Sequence, residues 1–282
     1  MTLSIHDHDR RKSGLTYVYA VLSRRAGGVS VGVNLNTNSA CNWRCVYCEI
    51  PDLTFGNAPE CDMALLEREL RSMLDGILRG DWMQKNVPEE RWRALKDVAI
   101  SGNGEPTSCP QFAAVVELIG RMLEEYGQRD KVQIVLITNG SLIHKPDVRR
   151  GLEELHRIGG VVWFKLDSAT DAGTARMNNA HAGMARARAN LVLAATTCTT
   201  WIQTMALARD AAPPSSTETD AYVEFARSLV EEGVPVKGVL LYGMARPSFQ
   251  PEAPALSALS REWMEAFAKR IEDAGLAVRL SV

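Results

Sequence analysis

Hydrophobic positions along the chain fall into two alternating rhythms. Near-continuous apolar runs occupy 16–23, 29–35, 132–138, 161–166, 200–207 and 236–242. Runs of this length and continuity suit strands buried on both faces. Between them, apolar residues return every three or four positions, as on one face of a helix. Residues 63–78 place Leu66, Leu70, Met73, Leu74 and Ile77 together, with Asp62 as the N-cap. Residues 110–126 do the same with Phe112, Val115, Val116, Ile119 and Leu123, with Pro110 in the first turn and Gly127 as the stop. The spacing predicts further helices over 146–158, 183–195, 220–232 and 261–274, the last capped by Ser260. Shorter strands are predicted at 97–101 and 277–281. Residues 24–28 read as a turn, 79–96 as a polar, partly helical insert, and 210–217 as a polar loop containing prolines.

Strands alternating with helices argue for a parallel sheet. About six such units joined by right-handed crossovers curl into an open barrel. The expected fold is therefore α/β, a partial (β/α)6 TIM-like barrel with parallel strands. Residues 1–30 read as an N-terminal extension carrying the first strand of a possible hairpin, and 31–282 as the barrel. With no internal repeat or linker, a single domain is expected.

Composition narrows the partners. Of 282 residues, 46% are hydrophobic and 23% charged, enough for a large core, and the formal net charge is −2. That balance makes no case for a constitutive binder of nucleic acid or membrane surfaces. No apolar run approaches bilayer length, and the first residues lack the pattern of a secretory signal, so a cytoplasmic protein is expected. His6 and His8 sit in a polar start that reads as a solvated tail.

The candidate chemistry is concentrated in one stretch, Cys41-Asn-Trp-Arg-Cys45-Val-Tyr-Cys48. Three thiolates on one short loop can hold three corners of a [4Fe–4S] cluster and leave the fourth iron open. The competing reading is structural zinc, which takes four ligands in paired spacings; no second pair exists. Cys61, Cys109 and Cys198 are scattered and read as buried packing residues rather than a disulfide framework. The unusual polar residues fall where parallel strands end, the usual seat of function in such folds. They are Gly102-Asn103-Gly104-Glu105-Pro106, Thr138-Asn139-Gly140, Asp167, Gln203 and the run Tyr242-Gly243-Met244-Ala245-Arg246.

On these residues the chain resembles the radical S-adenosylmethionine (SAM) enzymes. The carriers are Cys41-x-x-x-Cys45-x-Tyr47-Cys48, the glycine–glutamate–proline loop and Thr138-Asn139-Gly140, in the family's order. Lys165-Leu166-Asp167, Gln203-Thr204-Met205 and the 242–247 stretch look most like the branch related to wyosine-base synthases, without the cysteines of that branch's second cluster. The resemblance implies that Cys41, Cys45 and Cys48 hold the cluster. It implies that SAM binds the open iron and is cleaved by one electron to a 5′-deoxyadenosyl radical, which abstracts hydrogen from a small-molecule or nucleotide-like substrate. Tyr47 would pack near adenine. Gly102, Asn103 and Gly104 would let SAM approach the backbone, Glu105 or neighbouring carbonyls would take the methionine ammonium, and Pro106 would stiffen the loop. Thr138, Asn139, Asp167 and Gln203 would make polar contacts, Gly243 and Met244 backbone contacts to adenine, and Arg246 would meet an anionic group. A low-potential donor such as flavodoxin or ferredoxin is implied.

Two other functions fit parts of the pattern. An RNA- or nucleoside-modifying enzyme would need a local basic patch; Arg176, His181, Arg186 and Arg188 cluster in sequence and read as a solvated helix face or as a site for an anionic substrate such as a phosphate or nucleotide. An iron–sulfur electron carrier or sensor would need the cysteines but not the loops at 102–106 and 138–140.

Overall fold

A computed structural model describes residues 2–5 and 10–282, the side chain of Arg11 excepted. His6 and His8 lie outside the described residues. Eight strands form the main sheet: β1 (Val18–Ser23), β2 (Gly28–Val33), β5 (Leu95–Ile100), β6 (Gln133–Thr138), β7 (Val161–Lys165), β8 (Thr200–Ala206), β10 (Val236–Gly243) and β12 (Val278–Ser281), in that spatial order. Every pairing is parallel except β1 against β2. Four two-residue strands make two small ladders outside it: β3 (Ala40–Cys41) with β4 (Thr54–Phe55), and β9 (Ala208–Arg209) with β11 (Leu256–Ser257).

Helices α1 (Met63–Leu78), α3 (Phe112–Glu125), α4 (Pro146–Arg157), α6 (Met184–Thr197), α7 (Ser216–Glu231) and α8 (Arg261–Asp273) stand between successive parallel strands, with α2 (Trp82–Asn86) and α5 (Asp171–Asn178) as shorter additions. The result is the expected partial (β/α)6 barrel, extended by the antiparallel β1 at one edge and β12 at the other.

The periodic helices form where apolar spacing and caps agree. Asp62 accepts a hydrogen bond from Leu65 N, and Ser260 from Trp263 N. Leu66, Leu70 and Leu74 are fully buried under α1. Truncating one of them to alanine should cost about 2–5 kcal/mol. Helix α7 begins four residues ahead of the expected start, because Ser215 caps it by accepting from Glu218 N. Helix α5 was not expected, since its eight residues carry no apolar stripe. Thr170 caps its start, and Asn179 ends it in the left-handed conformation (φ 50°). Buried Glu69 reaches from α1 to accept the amides of Thr16, Tyr17 and Val18, fixing the chain's entry into β1.

Candidate active site

Period-2 alternation turns one set of strand side chains into the curl of the sheet. Tyr19 of β1, Ser30 of β2, Asp97 of β5, Trp163 and Lys165 of β7, Gln203 of β8 and Tyr242 of β10 line a cavity of about 270 Å³. The three cysteines form its upper wall with Gly102, Gly104 and Asn139.

The cysteine loop is held on every side. At its base β3 pairs with β4, and Gly56 N donates to Cys41 O (3.0 Å). From the end of α5, Val46 N donates to Met177 O (2.8 Å), Arg44 N to Asn178 O (3.1 Å) and Asn179 Nδ2 to Arg44 O (2.7 Å). From the segment after β10, Ser248 Oγ donates to Val46 O (2.7 Å), Phe249 N to Cys48 O (2.9 Å) and Gln250 Nε2 to Ile50 O (3.0 Å). Arg44 forks onto Glu252 with two 2.7 Å bonds. Val46 is buried against Met205, Leu207 and Leu256.

The sulfurs are prepared as acceptors. Trp43 N approaches Cys41 Sγ at 3.4 Å, and Asn178 Nδ2 approaches Cys45 Sγ at 3.2 Å. Burial pushes the Cys41 thiol up to about 12 and the Cys45 thiol up to about 11. Thiolates in such a place need a cationic partner. Among the described residues, no three His, Cys, Asp or Glu side chains converge on a point fit for one metal ion. The donor set is three soft thiols on the wall of one cavity, with Gln203 Oε1 buried opposite and lacking any hydrogen-bond partner. Soft sulfur donors, an adjoining cavity and an unmet polar atom fit an iron–sulfur cluster with a bound organic cofactor.

The expected site residues separate into three groups. Cys41, Cys45, Cys48, Tyr47, Gly102, Asn103, Gly104, Glu105, Asn139, Gln203 and Arg246 line the cavity. Pro106 and Thr138 are buried just behind it; Pro106 opens a short 3-10 turn. Asp167, Gly243 and Met244 are not among the residues lining it. Asp167 lines a neighbouring cavity of about 550 Å³. It receives the Tyr47 hydroxyl, Asn178 Nδ2 (2.6 Å) and Met205 N (2.9 Å), so it braces Tyr47 from behind. Met244 packs beside Tyr47 and Val46.

The loop residues are also engaged within the protein. A Cβ on Gly102 would overlap Asn34 Oδ1, and one on Gly104 would overlap Ala40 O and Asn36 Nδ2. The bare glycines make room for the stem of the cysteine loop. Glu105, 2% exposed, takes four donors: Thr107 N (3.0 Å), Thr107 Oγ1 (2.6 Å), Thr138 Oγ1 (2.7 Å) and Asn139 N (2.6 Å). It clamps the end of β5 to the end of β6. Asn139 passes the connection to Asn42 in the cysteine loop (2.8 Å). Arg246 is paired with Glu49 at 2.6 Å, so its charge is already met.

Sequence reasoning overlooked Arg25, Trp163, Asp97 and Asn178. Arg25 sits in the β1–β2 turn and reaches into the cavity, its guanidinium carbon 5.0 Å from the ring centroids of both Trp163 and Tyr242. The legible signal was the polar or bulky residue at inward positions of otherwise apolar strands. Arg25 gave no such signal. The Arg176–Arg188 stretch lies off this cavity: Arg176 pairs with Glu218, and Arg188 with Glu232 (2.6 Å).

No family model matches the chain. UPF0026 proteins of two Helicobacter pylori strains are similar to it. One is 28% identical over 149 residues, covering 52% of this chain and 41% of that protein. The other is 26% identical over 158 residues, covering 56% and 44%. The chain thus spans less than half the length of these relatives. Among solved structures, that of a radical SAM methyltransferase from Sphaerobacter thermophilus aligns over 93% of this chain and 68% of its own, with a TM-score of 0.59 and 16% identity. The chain shares the fold of that protein.

Proposed function

We propose that this chain is a radical SAM enzyme. Cys41, Cys45 and Cys48 would hold a [4Fe–4S] cluster, and the adjoining cavity would seat SAM and a small substrate. The observation that carries the reading is the placement of three thiols from one braced loop on the wall of the curled sheet's cavity, beside the Gly102–Glu105 strand end. When bound, this pair of cofactors supplies one-electron cleavage of SAM to methionine and a 5′-deoxyadenosyl radical able to take hydrogen from a substrate.

The chain's own residues supply position and shelter. The β3–β4 ladder, the end of α5 and residues 248–252 hold the cysteine loop rigid. Glu105, Thr138 and Asn139 lock two strand ends to that loop. Tyr47 presents its ring to the cavity, fixed by its hydroxyl bond to Asp167, with Lys165 Nζ 4.8 Å from the ring centroid. A low-potential protein donor, flavodoxin or ferredoxin in kind, would deliver the electron. Among the described residues, no helix is long and apolar enough to cross a membrane.

The test is anaerobic reconstitution with iron and sulfide, followed by reduction in the presence of SAM. 5′-Deoxyadenosine should accumulate in the native protein. It should fall to background in Cys45→Ala, together with the iron–sulfur absorbance. A stoichiometric four-iron cluster that never cleaves SAM would leave the electron-carrier reading in its place.

A further inference from the structure

We infer that the inner half of the cavity is a receptor for a small anion, a carboxylate or phosphate that also carries a hydroxyl or N–H group, seated on Arg25 and Lys165 beside Gln203. The inference rests on the cavity being the reaction chamber, and it names the class of substrate held there.

The argument starts from which charges are already met. Of the cations on the cavity wall, Arg246 is paired with Glu49, and Arg10 donates to Asn103 Oδ1 (3.1 Å) and lies over the Tyr19 ring. Arg25 and Lys165 are different. Neither forms an ion pair with a described carboxylate. Arg25 has two aromatic rings for neighbours, and Lys165 Nζ has the Tyr242 hydroxyl (3.3 Å) and the Tyr47 ring. Desolvation of the guanidinium, with Arg246 nearby, pulls Arg25 below its ordinary pKa although the residue keeps an exposed side at the turn, whereas Tyr242 and Asp167 outweigh desolvation and hold Lys165 above its own. Asp97 is the nearest acid on this part of the wall, and it takes the Ser30 hydroxyl. Glu49 and Glu105 are engaged elsewhere, and Asp167 faces the neighbouring cavity. Asp97 and Glu49 act on Arg25, and Asp167 on Lys165, only through space, so the N–H groups of both cations keep no direct carboxylate contact among the described residues.

The geometry then selects the anion's form. Aromatic rings beside a guanidinium occupy its faces and leave the N–H edge for a ligand. That edge matches the paired oxygens of a carboxylate or phosphate. Gln203 stands in register with Lys165 across the β7–β8 pair. Its side chain is 2% exposed, and Oε1 has no donor. A buried acceptor left without a donor destabilises the site it sits in. A ligand hydroxyl or N–H next to the anionic group would satisfy it.

Arg24 anchors the β1–β2 turn. Its Nη1 reaches the Val282 carbonyl (3.4 Å), so the β1–β2 turn spans the gap between the two edges of the sheet. The same turn carries Arg25 inward.

The test is calorimetric titration of the anaerobically reconstituted protein with SAM present, using lactate and inorganic phosphate as probes and glycerol as the neutral control. At least one anion should bind saturably, and glycerol should not. Arg25→Gln should weaken that binding by about tenfold or more, the loss of one charged, bidentate contact. Arg25→Lys should recover part of it. Gln203→Leu should weaken lactate binding. Binding of lactate alone identifies a carboxylate substrate, and binding of phosphate alone a phosphorylated one.

A second measurement needs no variant. Phenylglyoxal modification of Arg25, read by mass spectrometry, should be slowed by the bound anion, while modification of exposed Arg91 should not change. The absence of saturable binding by either anion, or equal affinity in Arg25→Gln, would overturn the proposal. 5′-Deoxyadenosine yield of the native protein, measured in parallel, reads the cofactor assignment separately. Cleavage without anion binding sinks the receptor alone; binding without cleavage sinks the radical chemistry alone.

Discussion

The upper and inner halves of the one cavity are built on opposite terms. In the upper half, most polar groups are satisfied by the protein itself, Asn36 Oδ1 and Asn178 Oδ1 excepted. Glu105 has four donors, Asn139 bridges to Asn42, Arg44 forks onto Glu252, and Arg246 is neutralised by Glu49. In the inner half, Arg25 and Lys165 lack carboxylate partners among the described residues, and Gln203 Oε1 lacks a donor. A network largely complete without ligand makes a rigid mount, while cations and acceptors left without partners offer a receptor. The contrast teaches where to look for each job: cluster and cofactor geometry in the upper half, substrate identity in the inner half.

That contrast can be broken most sharply at Glu105. Glu105→Ala should leave the donors of Thr107, Thr138 and Asn139 buried and unpaired. It should destabilise the fold by about 2–4 kcal/mol, seen as a lower urea midpoint. Stability unchanged by this substitution would mean that the upper half is not a self-sufficient mount.

Asp97 probes the inner half through pH. Burial raises its carboxyl from 3.8 to about 6, against the Ser30 hydroxyl and Arg25, which lower it. The raised value means that the folded state favours the protonated form. The stability this lends is fully present below about pH 4 and is lost as pH rises through about 6. Asp97→Asn should remove that slope, on the order of 3 kcal/mol between the two limits. Urea unfolding at pH 4, 5, 6 and 7 would measure it. A native protein whose carboxyl contributes no slope there would place Asp97 in a wetter setting than the cavity provides.

Asn178 sharpens the comparison from the upper side. It is fully buried and donates to both Cys45 Sγ (3.2 Å) and Asp167 (2.6 Å). Hydrogen bonds to cluster sulfurs raise the reduction potential. Asn178→Ala should shift the reconstituted cluster to a more negative potential in a redox titration followed by electron paramagnetic resonance. An unchanged potential would reduce Asn178 to a loop anchor.

The smallest effect is expected at Arg176. It pairs with Glu218 away from the cysteine cavity, half exposed to water. Arg176→Gln should cost no more than about 1 kcal/mol, as surface ion pairs do, and should leave anion binding unchanged. Lost binding would move the receptor from the barrel interior to the arginine-rich stretch.

Much of this was readable from residue order. Apolar runs alternating with capped, amphipathic helices specify the open α/β barrel, because each element can bury its apolar face in only one kind of neighbour. The C-x-x-x-C-x-x-C spacing places three thiols on one loop whatever the fold. Helix α5 escaped notice because eight residues without an apolar stripe carry no periodic signal; capping by Thr170 and docking onto the cysteine loop stabilise it instead. The glycine loop was visible, but not its partner. Only the folded chain sets Gly102 and Gly104 against Asn34, Asn36 and Ala40.

Local order thus determined the elements, the barrel and the sulfur donors, since each follows from spacing within a few turns of chain. Tertiary structure alone decided which charges are neutralised. Arg246 meets Glu49 across 197 positions, and Arg176 meets Glu218 across 42, while Arg25 is turned between Trp163 and Tyr242. Coulombic and hydrogen-bond pairing depends on distance in space, and only closing the sheet sets those distances.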